Sequence, residues 1–182
     1  MDLSIIIVNW NTKNLLGRCL RSLEEHEGTC RRPSVEVFVV DNASTDGSAV
    51  MVRAEYPRVR LIVNAENVGF ARANNQGIEQ SEGRYVVLLN SDTEVHPGAL
   101  EAMVAFMDEH PEAAGCGPRL LNGDGSLQAS CHPMLTPGRE FWRLMFLDRI
   151  WRRATYAQQR WDLKIPRRVE VIKGACLMLR RE

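Results

Sequence analysis

The chain has 182 residues, 45% of them hydrophobic and 25% charged, and its 23 basic and 23 acidic residues leave no net charge. This length suits one domain with its own core, or one domain plus an appendage. A neutral chain has no overall field that draws it to nucleic acid or to an anionic membrane, so such contacts would require a local basic patch. No run of about 18 apolar residues is present, which excludes a transmembrane helix.

The cysteines do not follow the spacing of a disulfide framework or a zinc site. They are odd in number, widely separated and without a C-x-x-C pair: Cys19, Cys30, Cys116, Cys131 and Cys176. Such cysteines are typical of a reducing cytosol. The apolar run at residues 3–8 lacks the basic leader and the length of a signal peptide. The sequence therefore predicts a cytoplasmic protein.

Short apolar runs alternate with helical patterns along the first part of the chain. Strands are predicted at residues 3–8, 35–40, 59–63 and 85–89. Helices are predicted at residues 15–23, 44–55, 69–80 and 97–110. Ser44 or Asp46 should cap the second helix, Pro97 should begin the fourth, and Phe70, Ala73 and Ile78 should point inward from the third. This order predicts an α/β fold, with a mainly parallel sheet flanked by helices.

The pattern changes after about residue 113. A strand at residues 115–121, a turn at residues 122–125 and a strand at residues 126–130 predict a hairpin. Residues 169–179 predict two short strands with a break at Lys173 and Gly174.

Polar side chains follow three of the predicted strands where each strand ends, at residues 9–11, 41–42 and 90–92. Ligands of parallel α/β sheets bind beyond the carboxyl ends of the strands, so we expect one ligand site at this edge. Neither the G-x-x-x-x-G-K-[ST] loop nor the G-x-G-x-x-G loop is present, which disfavours P-loop NTPases and dinucleotide-binding dehydrogenases.

Each polar segment has a structural alternative. Asp41 could accept hydrogen bonds from a base or a ribose, or its segment could simply cap a helix. Asp92 and Glu94 are two residues apart and could bind Mg²⁺ or Mn²⁺ through oxygen, or they could be acids at a helix N-terminus. Arg72, in the first turn of the third helix, could reach a diphosphate or lie in solvent.

Taken together, four ordered segments resemble the family 2 glycosyltransferases, which have the GT-A fold. They read SIIIVNWN at residues 4–11, VVDNASTDG at 39–47, NVGFARANN at 67–75 and LLNSDT at 88–93. Their order and spacing cover roughly residues 3–121, and the nearest resemblance is to the rhamnosyltransferase-like branch, which builds bacterial cell-surface polysaccharides.

The resemblance implies roles for individual residues. Asp92 would bind a divalent metal, Mg²⁺ or Mn²⁺, with Glu94 as the weaker candidate, because residues 90–92 match the family's D-x-D element with Asn in the first position. Asp41 would contact the base of a UDP- or dTDP-sugar. The full set of implied nucleotide-sugar-binding residues is Asn9, Asn11, Asp41, Asn67, Arg72, Asn75, Asn90 and Ser91.

The resemblance also implies an inverting transfer of a sugar to a saccharide or lipid-linked acceptor. The family's general base is expected in an acidic segment beyond Glu182, so the sequence predicts a C-terminally truncated GT-A fold with donor binding and little or no transfer. The alternatives are a nucleotide-sugar-binding module without catalysis, or a nucleotidyltransferase, although the basic glycine-rich loop of the latter is missing.

The resemblance divides the chain into a nucleotide-sugar-binding domain at residues 1–121 and a partial acceptor-side region at residues 122–182. In the latter, residues 137–168 carry nine Arg or Lys, three acids and three of the four tryptophans. If helical, this segment could lie peripherally on the inner face of the plasma membrane, or it could pack on the sheet with its arginines in solvent. No nucleic-acid-binding motif accompanies the charge, so no nucleic-acid partner is expected.

Overall fold

The structure is a computed structural model that describes residues 1–24, 33–134, 136–145, 161–162 and 165–181. Strands and helices alternate through its first half. In chain order the elements are β1 (Leu3–Asn9), α1 (Lys13–Glu24), β2 (Val35–Asp41), α2 (Ser48–Glu55), β3 (Arg60–Val63), α3 (Phe70–Gln80), β4 (Tyr85–Asn90), α4 (Ala99–Glu109), β5 (Gly115–Cys116), β6 (Leu120–Leu121), β7 (Leu127–Gln128), β8 (Cys131–His132), α5 (Pro137–Leu144), β9 (Val171–Ile172) and β10 (Cys176–Arg180).

A six-stranded sheet has the order β3-β2-β1-β4-β10-β5. The neighbours β3, β2, β1 and β4 are parallel, whereas β10 runs antiparallel to both β4 and β5. The predicted α/β fold with a mainly parallel sheet is therefore confirmed. The antiparallel strand comes from the end of the chain and was predicted only as a short strand of unknown pairing.

The central strands are continuously apolar because both faces of the sheet are covered. In β1, Ile5, Ile6 and Ile7 are all fully buried, since side chains on both faces of a central strand are covered. Helix α3 covers Ile6 and Val40 through its buried face. It packs so closely that a Cβ atom built on Gly77 would lie 2.6 Å from Cγ2 of Ile6.

The contacts divide the chain into two compact units, Met1–Cys116 with Gly174–Glu182, and Gly117–Lys173. The last strand thus belongs to the sheet unit, whereas the sequence analysis grouped it with residues 122–182. The second unit contains the β6–β7 hairpin, whose turn is closed by a 2.8 Å bond from the Asn122 amide to the Ser126 carbonyl. The hairpin turn is as predicted.

Three details of the predicted elements are wrong. The single strand at residues 115–121 is divided into β5 and β6, because Pro118 between them has no N–H for a strand ladder. Helix α4 begins at Ala99 after Gly98 in the left-handed region, at φ 77°, rather than at Pro97. Phe70 is 55% exposed, because the first turn of α3 lies at the carboxyl edge of the sheet, past the strands it would have to cover.

Two arginines, at the last position of β10 and directly after it, bind the C-terminal ends of two helices. Arg180 donates to the carbonyls of Met107 and His110 at the end of α4, at 2.5 and 3.1 Å. Arg181 donates to the carbonyl of Ile78 at the end of α3, at 3.2 Å. A cation at a helix C-terminus is favoured by the unpaired carbonyls and the helix dipole, so β10 stabilises both helices as well as the sheet.

In the second unit, α5 and the residue after it carry exposed apolar side chains: Phe141 at 61% and Leu144 at 69% in the helix, and Met145 at 57% directly after it. An ion pair of 2.7 Å joins Arg139 to Glu170. The rest of the predicted basic aromatic helix, residues 146–160 and 163–164, lies outside the described residues. Among the residues that are described, no helix has the length and apolar character needed to cross a membrane.

We predict that Gly77→Ala destabilises the protein. The added methyl group would overlap Cγ2 of Ile6, a stiff and fully buried side chain, and overpacking of this kind costs about 1–3 kcal/mol. This outweighs the gain of about 1 kcal/mol that alanine has over glycine in a helix. Urea unfolding measures the effect. The control is Gly123→Ala, where a Cβ would meet nothing within 4 Å, and equal stability of both variants would contradict the packing argument.

Candidate functional site

The three polar segments lie at neighbouring strand ends. Asn9 is paired in register with Asp41 across β1 and β2, and Val8 is paired with Asn90 across β1 and β4. Because β1 lies between two parallel neighbours, all three segments leave the same edge of the sheet side by side. The structure therefore brings the predicted residues of β1, β2 and β4 together.

The centre of this edge is a buried amide–carboxylate pair. Asn9 is fully buried and donates from Nδ2 to Oδ2 of Asp41 at 2.9 Å and to Oγ of Ser44 at 3.1 Å. Asp41 is 1% exposed, and its Oδ1 accepts the backbone N–H of Ser44 at 2.9 Å. Asn9 thus supports the site from beneath, and both carboxylate oxygens of Asp41 are held in fixed directions.

The loops after β1 and β2 are tied to each other. Asn11 accepts the backbone N–H of Thr45 at 2.8 Å and donates its own N–H to Ser44 Oγ at 3.0 Å. Asn11 and Ala43 both have positive φ, 52° and 61°. Asparagine tolerates this region but alanine is disfavoured there, so the surrounding bonds must hold the loop in a strained shape.

Asp46 joins the beginnings of two helices. Its carboxylate accepts the N–H of Lys13 at 2.8 Å, in the first turn of α1, and the N–H of Ser48 at 3.0 Å, in α2. The residue directly before α2 is Gly47, at φ 84°, so Asp46 reaches the helix from one position further back than an ordinary cap. Burial alone would raise the pKa of Asp46, but the bonds from Ser48 and the Lys13 amide outweigh it and lower that pKa.

A second amide network fixes the start of α3. Asn42 is 2% exposed and accepts from Asn64 at 2.9 Å, and Asn64 exchanges two bonds of 2.9 Å with Gln76. Asn67 accepts the N–H of Gly69 at 3.0 Å in the turn before the helix. Asn67 therefore shapes the turn.

The predicted donor-binding residues of α3 are at its surface. Arg72 and Asn75 are both exposed, near the beginning of the helix. The neighbouring Asn74 is buried and donates to the Phe70 carbonyl at 2.9 Å, so it holds the first turn instead.

The segment after β4 is anchored on two sides. The backbone N–H of Asn90 and the Thr93 hydroxyl both donate to the Ala175 carbonyl, at 2.9 and 3.4 Å. The Ser91 hydroxyl lies 2.9 Å from Oγ1 of Thr12, in the loop after β1. Asp92 is exposed between these anchors, and within the described residues its carboxylate forms neither a hydrogen bond nor an ion pair.

The exposed Asp92 carboxylate after β4 fits a cation that also binds a phosphate group of a ligand. Among the residues the structure describes, no group of three or more His, Cys, Asp or Glu side chains could hold a metal. Glu94 lies 3.5 Å from Arg18 in an exposed ion pair, which leaves Asp92 as the unpaired carboxylate. Mg²⁺ is commonly bound through one or two carboxylates together with substrate phosphates, so a single aspartate is sufficient.

Cys19 lies beneath this segment and is chemically inert. Its thiol is 3.8 Å from the Asn90 carbonyl. Burial, followed by the charge of Asp92, raises the pKa of Cys19 to about 12. The thiol is therefore neutral at physiological pH and is excluded as a nucleophile.

Sequence reasoning missed several residues of this edge. Thr12, Asn64 and Gln76 form bonds to residues distant in the chain that no local pattern indicates. Trp10 is 58% exposed between two asparagines at the end of the central strand. A tryptophan between two asparagines at a predicted strand end is the sequence signal that could have identified it, because bases and sugars stack on such rings.

The model of glycosyl transferase family 2 matches residues 4–181. The chain belongs to glycosyltransferase family 2. An N-acetylglucosaminyl-diphospho-decaprenol L-rhamnosyltransferase of Mycobacterium tuberculosis H37Rv is 30% identical over 194 residues, covering 98% of this chain and 61% of that protein. The succinoglycan biosynthesis protein ExoO of Rhizobium meliloti is 36% identical over 115 residues, covering 63% of this chain and 31% of ExoO. The chain thus spans at most about three fifths of these two relatives.

Solved structures share the fold. Staphylococcus aureus TarS 1–349 in complex with UDP-GlcNAc has a TM-score of 0.60 and 26% identity, over 75% of this chain and 40% of that one. The mannosyltransferase PcManGT of Pyrobaculum calidifontis, in complex with GDP-Man and Mn²⁺, has a TM-score of 0.57 and 27% identity, over 64% of this chain and 35% of that one. The predicted GT-A fold of family 2 is confirmed.

We predict that Asp46→Asn costs about 1 kcal/mol of stability at pH 7, because the carboxylate accepts through both oxygens, the amide has a single acceptor oxygen, and one lost hydrogen bond costs about this much. Because the folded pKa of Asp46 lies below its ordinary value of 3.8, the ionised carboxylate stabilises the fold above that pH, and this contribution is lost as the pH falls through the folded pKa. Urea unfolding at pH 7 and pH 3 should therefore show the difference from wild type shrinking in acid. Glu55→Gln, an exposed acid of α2, is the control, and a difference that stays constant with pH would count against the charge argument.

Proposed function

We propose that this chain forms the donor-binding part of an inverting, metal-dependent glycosyltransferase. The enzyme would transfer a sugar from a UDP- or dTDP-sugar to a saccharide or lipid-linked acceptor in bacterial cell-surface polysaccharide synthesis. The observation that carries the proposal is the convergence of the three strand-end segments, in register, on one edge of a family 2 fold. The relatives support the substrate class, since one is named as a rhamnosyltransferase and another as a succinoglycan biosynthesis protein.

The base and ribose are proposed to lie against the ends of β1 and β2. The Ser44 hydroxyl already accepts hydrogen bonds from the Asn11 N–H and from Nδ2 of Asn9, so its own proton remains for a ligand oxygen. Each oxygen of Asp41 accepts one bond from the protein and keeps capacity for a second, such as an N–H of a pyrimidine base. The exposed Trp10 ring offers a stacking surface.

The diphosphate is proposed to lie between α3 and the segment after β4. Arg72 would contribute a guanidinium that suits phosphate geometry, and Asn75 would contribute an amide. A divalent cation held by Asp92 would supply charge neutralisation for the departing diphosphate. Asn90 is proposed as a further donor-binding residue because it borders Asp92.

The proposed reaction is a single displacement with inversion. An acceptor hydroxyl attacks the anomeric carbon, and the nucleoside diphosphate leaves from the opposite face. The role of this chain is to orient the donor and to stabilise charge on the leaving group, since electrostatic stabilisation and positioning contribute most to such transfers. The proton of the acceptor hydroxyl would pass to a carboxylate general base, and no residue is assigned to that role within the described residues.

The second candidate is a binding module that holds a nucleotide-sugar without catalysis. It is favoured by the same strand-end geometry, which requires no general base. The two candidates separate in one experiment, in which labelled sugar from the donor is followed onto a lipid-linked acceptor. Binding without transfer supports the module, whereas transfer supports the enzyme.

We also propose a peripheral membrane contact through residues 137–168, which would bring a lipid-linked acceptor to a cytoplasmic enzyme. The exposed side chains of Phe141, Leu144 and Met145 have helical spacing and are the apolar surface that such a contact needs. The paired Arg139 is held by Glu170 and would contribute less charge than an unpaired arginine.

We predict that Mn²⁺ raises the affinity for UDP and that Asp92→Asn removes this gain, because the neutral amide is a poor ligand for a hard cation. The measurement is calorimetric titration of UDP with and without Mn²⁺. The matched controls are Glu94→Gln, whose carboxylate already faces Arg18, and Asp124→Asn, in the β6–β7 turn of the other unit. A full Mn²⁺ gain in Asp92→Asn, or its loss in Asp124→Asn, would rule out Asp92 as the ligand.

We predict that Trp10→Ala weakens UDP binding by roughly five- to 150-fold, since stacking of one base on an aromatic ring contributes about 1–3 kcal/mol. Trp10→Phe keeps a ring and should retain most of the affinity. Because Trp10 is 58% exposed, neither change should lower the melting temperature appreciably, and thermal unfolding checks this. Unchanged affinity in Trp10→Ala would exclude Trp10 from the nucleotide site.

A further inference from the structure

We propose that Thr12 and Ser91 are positioning residues that hold the Asp92 segment in place, and that the Ser91 hydroxyl supports the metal ligand instead of contacting the diphosphate. This inference rests on the proposed donor site, and it gives Ser91 a different role from the donor contact that the family resemblance implies. The evidence is a chain of hydrogen bonds that crosses three strand ends, from Asp41 through Asn9 and Thr12 to Ser91.

The buried Asp41 carboxylate determines which group donates in each hydrogen bond of this series. The Asp41 carboxylate can only accept, so the amide nitrogen of Asn9 faces it and the amide oxygen of Asn9 faces Thr12. The Thr12 hydroxyl must therefore donate its single proton to Oδ1 of Asn9, at 2.7 Å. Oγ1 of Thr12 is then left as an acceptor for Ser91, at 2.9 Å.

The Ser91 proton is consequently used within the protein. A serine hydroxyl has one proton, and here it is given to Thr12, so Ser91 has only lone pairs left for a ligand. A diphosphate oxygen requires a donor, which Ser91 in this arrangement does not provide. The hydroxyl instead fixes the backbone next to Asp92.

The other side of the segment is held separately. The Ala175 carbonyl accepts from the backbone N–H of Asn90 and from the Thr93 hydroxyl. Asp92 thus lies between one anchor that comes from β1 and one that comes from the start of β10. A cation site with a single protein carboxylate depends on such support, because the groups that hold the carboxylate fix its position and orientation.

The decisive variant is Ser91→Ala, which removes the bond to Thr12 and leaves the bonds among Thr12, Asn9 and Asp41 intact. We expect the Mn²⁺-dependent gain in UDP affinity to fall about tenfold, the usual lower limit for loss of an outer-shell partner. UDP affinity without metal should be unchanged. Ser91→Thr, which keeps the hydroxyl, should restore the gain. Isothermal calorimetry with UDP, with and without Mn²⁺, measures the metal-free affinity and the Mn²⁺-dependent gain of each variant.

If Ser91 contacted the diphosphate directly, Ser91→Ala would weaken UDP binding in the absence of metal as well, and the inference would be overturned. An unchanged Mn²⁺ gain would overturn it too. Thr12→Val provides the comparison at the other end of the bond, and it should reduce the metal-free affinity as well, because it also leaves Oδ1 of the buried Asn9 without its donor.

A measurement without ligand separates this inference from the proposed function. In amide hydrogen exchange of the free protein, Ser91→Ala should speed exchange in residues 90–93 and leave residues 41–44 unchanged. If wild-type protein binds no UDP, the donor proposal fails, and the exchange result still decides whether Ser91 anchors the segment. Equal exchange in wild type and variant, or faster exchange throughout the sheet, would contradict the positioning role.

Discussion

The hydrogen bond between Asn9 and Asp41 is the constraint on which the rest of the site depends. A carboxylate that is 1% exposed is costly unless its oxygens are bonded, and here the amide of Asn9 and the N–H of Ser44 provide those bonds. Asn9 ends the strand that lies between β2 and β4. The bonds of Asn9 therefore hold the loops after β1 and β2 in place. A fully buried residue thus determines the shape of a surface site.

The site separates residues that support from residues that are available to a ligand. Asn9, Asn42 and Asn74 are all buried and spend their amides on other protein groups. Trp10, Arg72 and Asp92 are exposed. Asn9 and Trp10 are successive residues at a strand end, where side chains point to opposite sides, whereas Arg72 and Asn74 lie on different faces of helix α3. Resemblance to a family identifies such segments as a whole, whereas burial and bonding distinguish the two roles within each segment.

The parallel strands and the edge that carries the site could be predicted because they depend on local signals, namely apolar runs and the polar residues that end them. Pairings between distant segments could not. The place of β10 in the sheet depends on residues more than 80 positions from β4, and the bond between Thr12 and Ser91 joins residues 79 apart. The start of α4 was misplaced because Gly98 adopts a left-handed conformation that a proline rule does not anticipate. Hydroxyl and amide networks have no periodicity, so only coordinates reveal them.

The pairing of β10 with β5 limits how far the residues between these strands can disturb the edge that carries the candidate site. Residues 117–173 leave the sheet after β5 and return at β10, and these two strands are paired, with Met178 opposite Cys116. The ends of the excursion are therefore fixed to each other, and its length can change at little cost in loop-closure entropy. At the start of β10, Ala175 anchors the Asp92 segment through two bonds. The segment that carries Asp92 thus depends on the return of the chain to the sheet at β10.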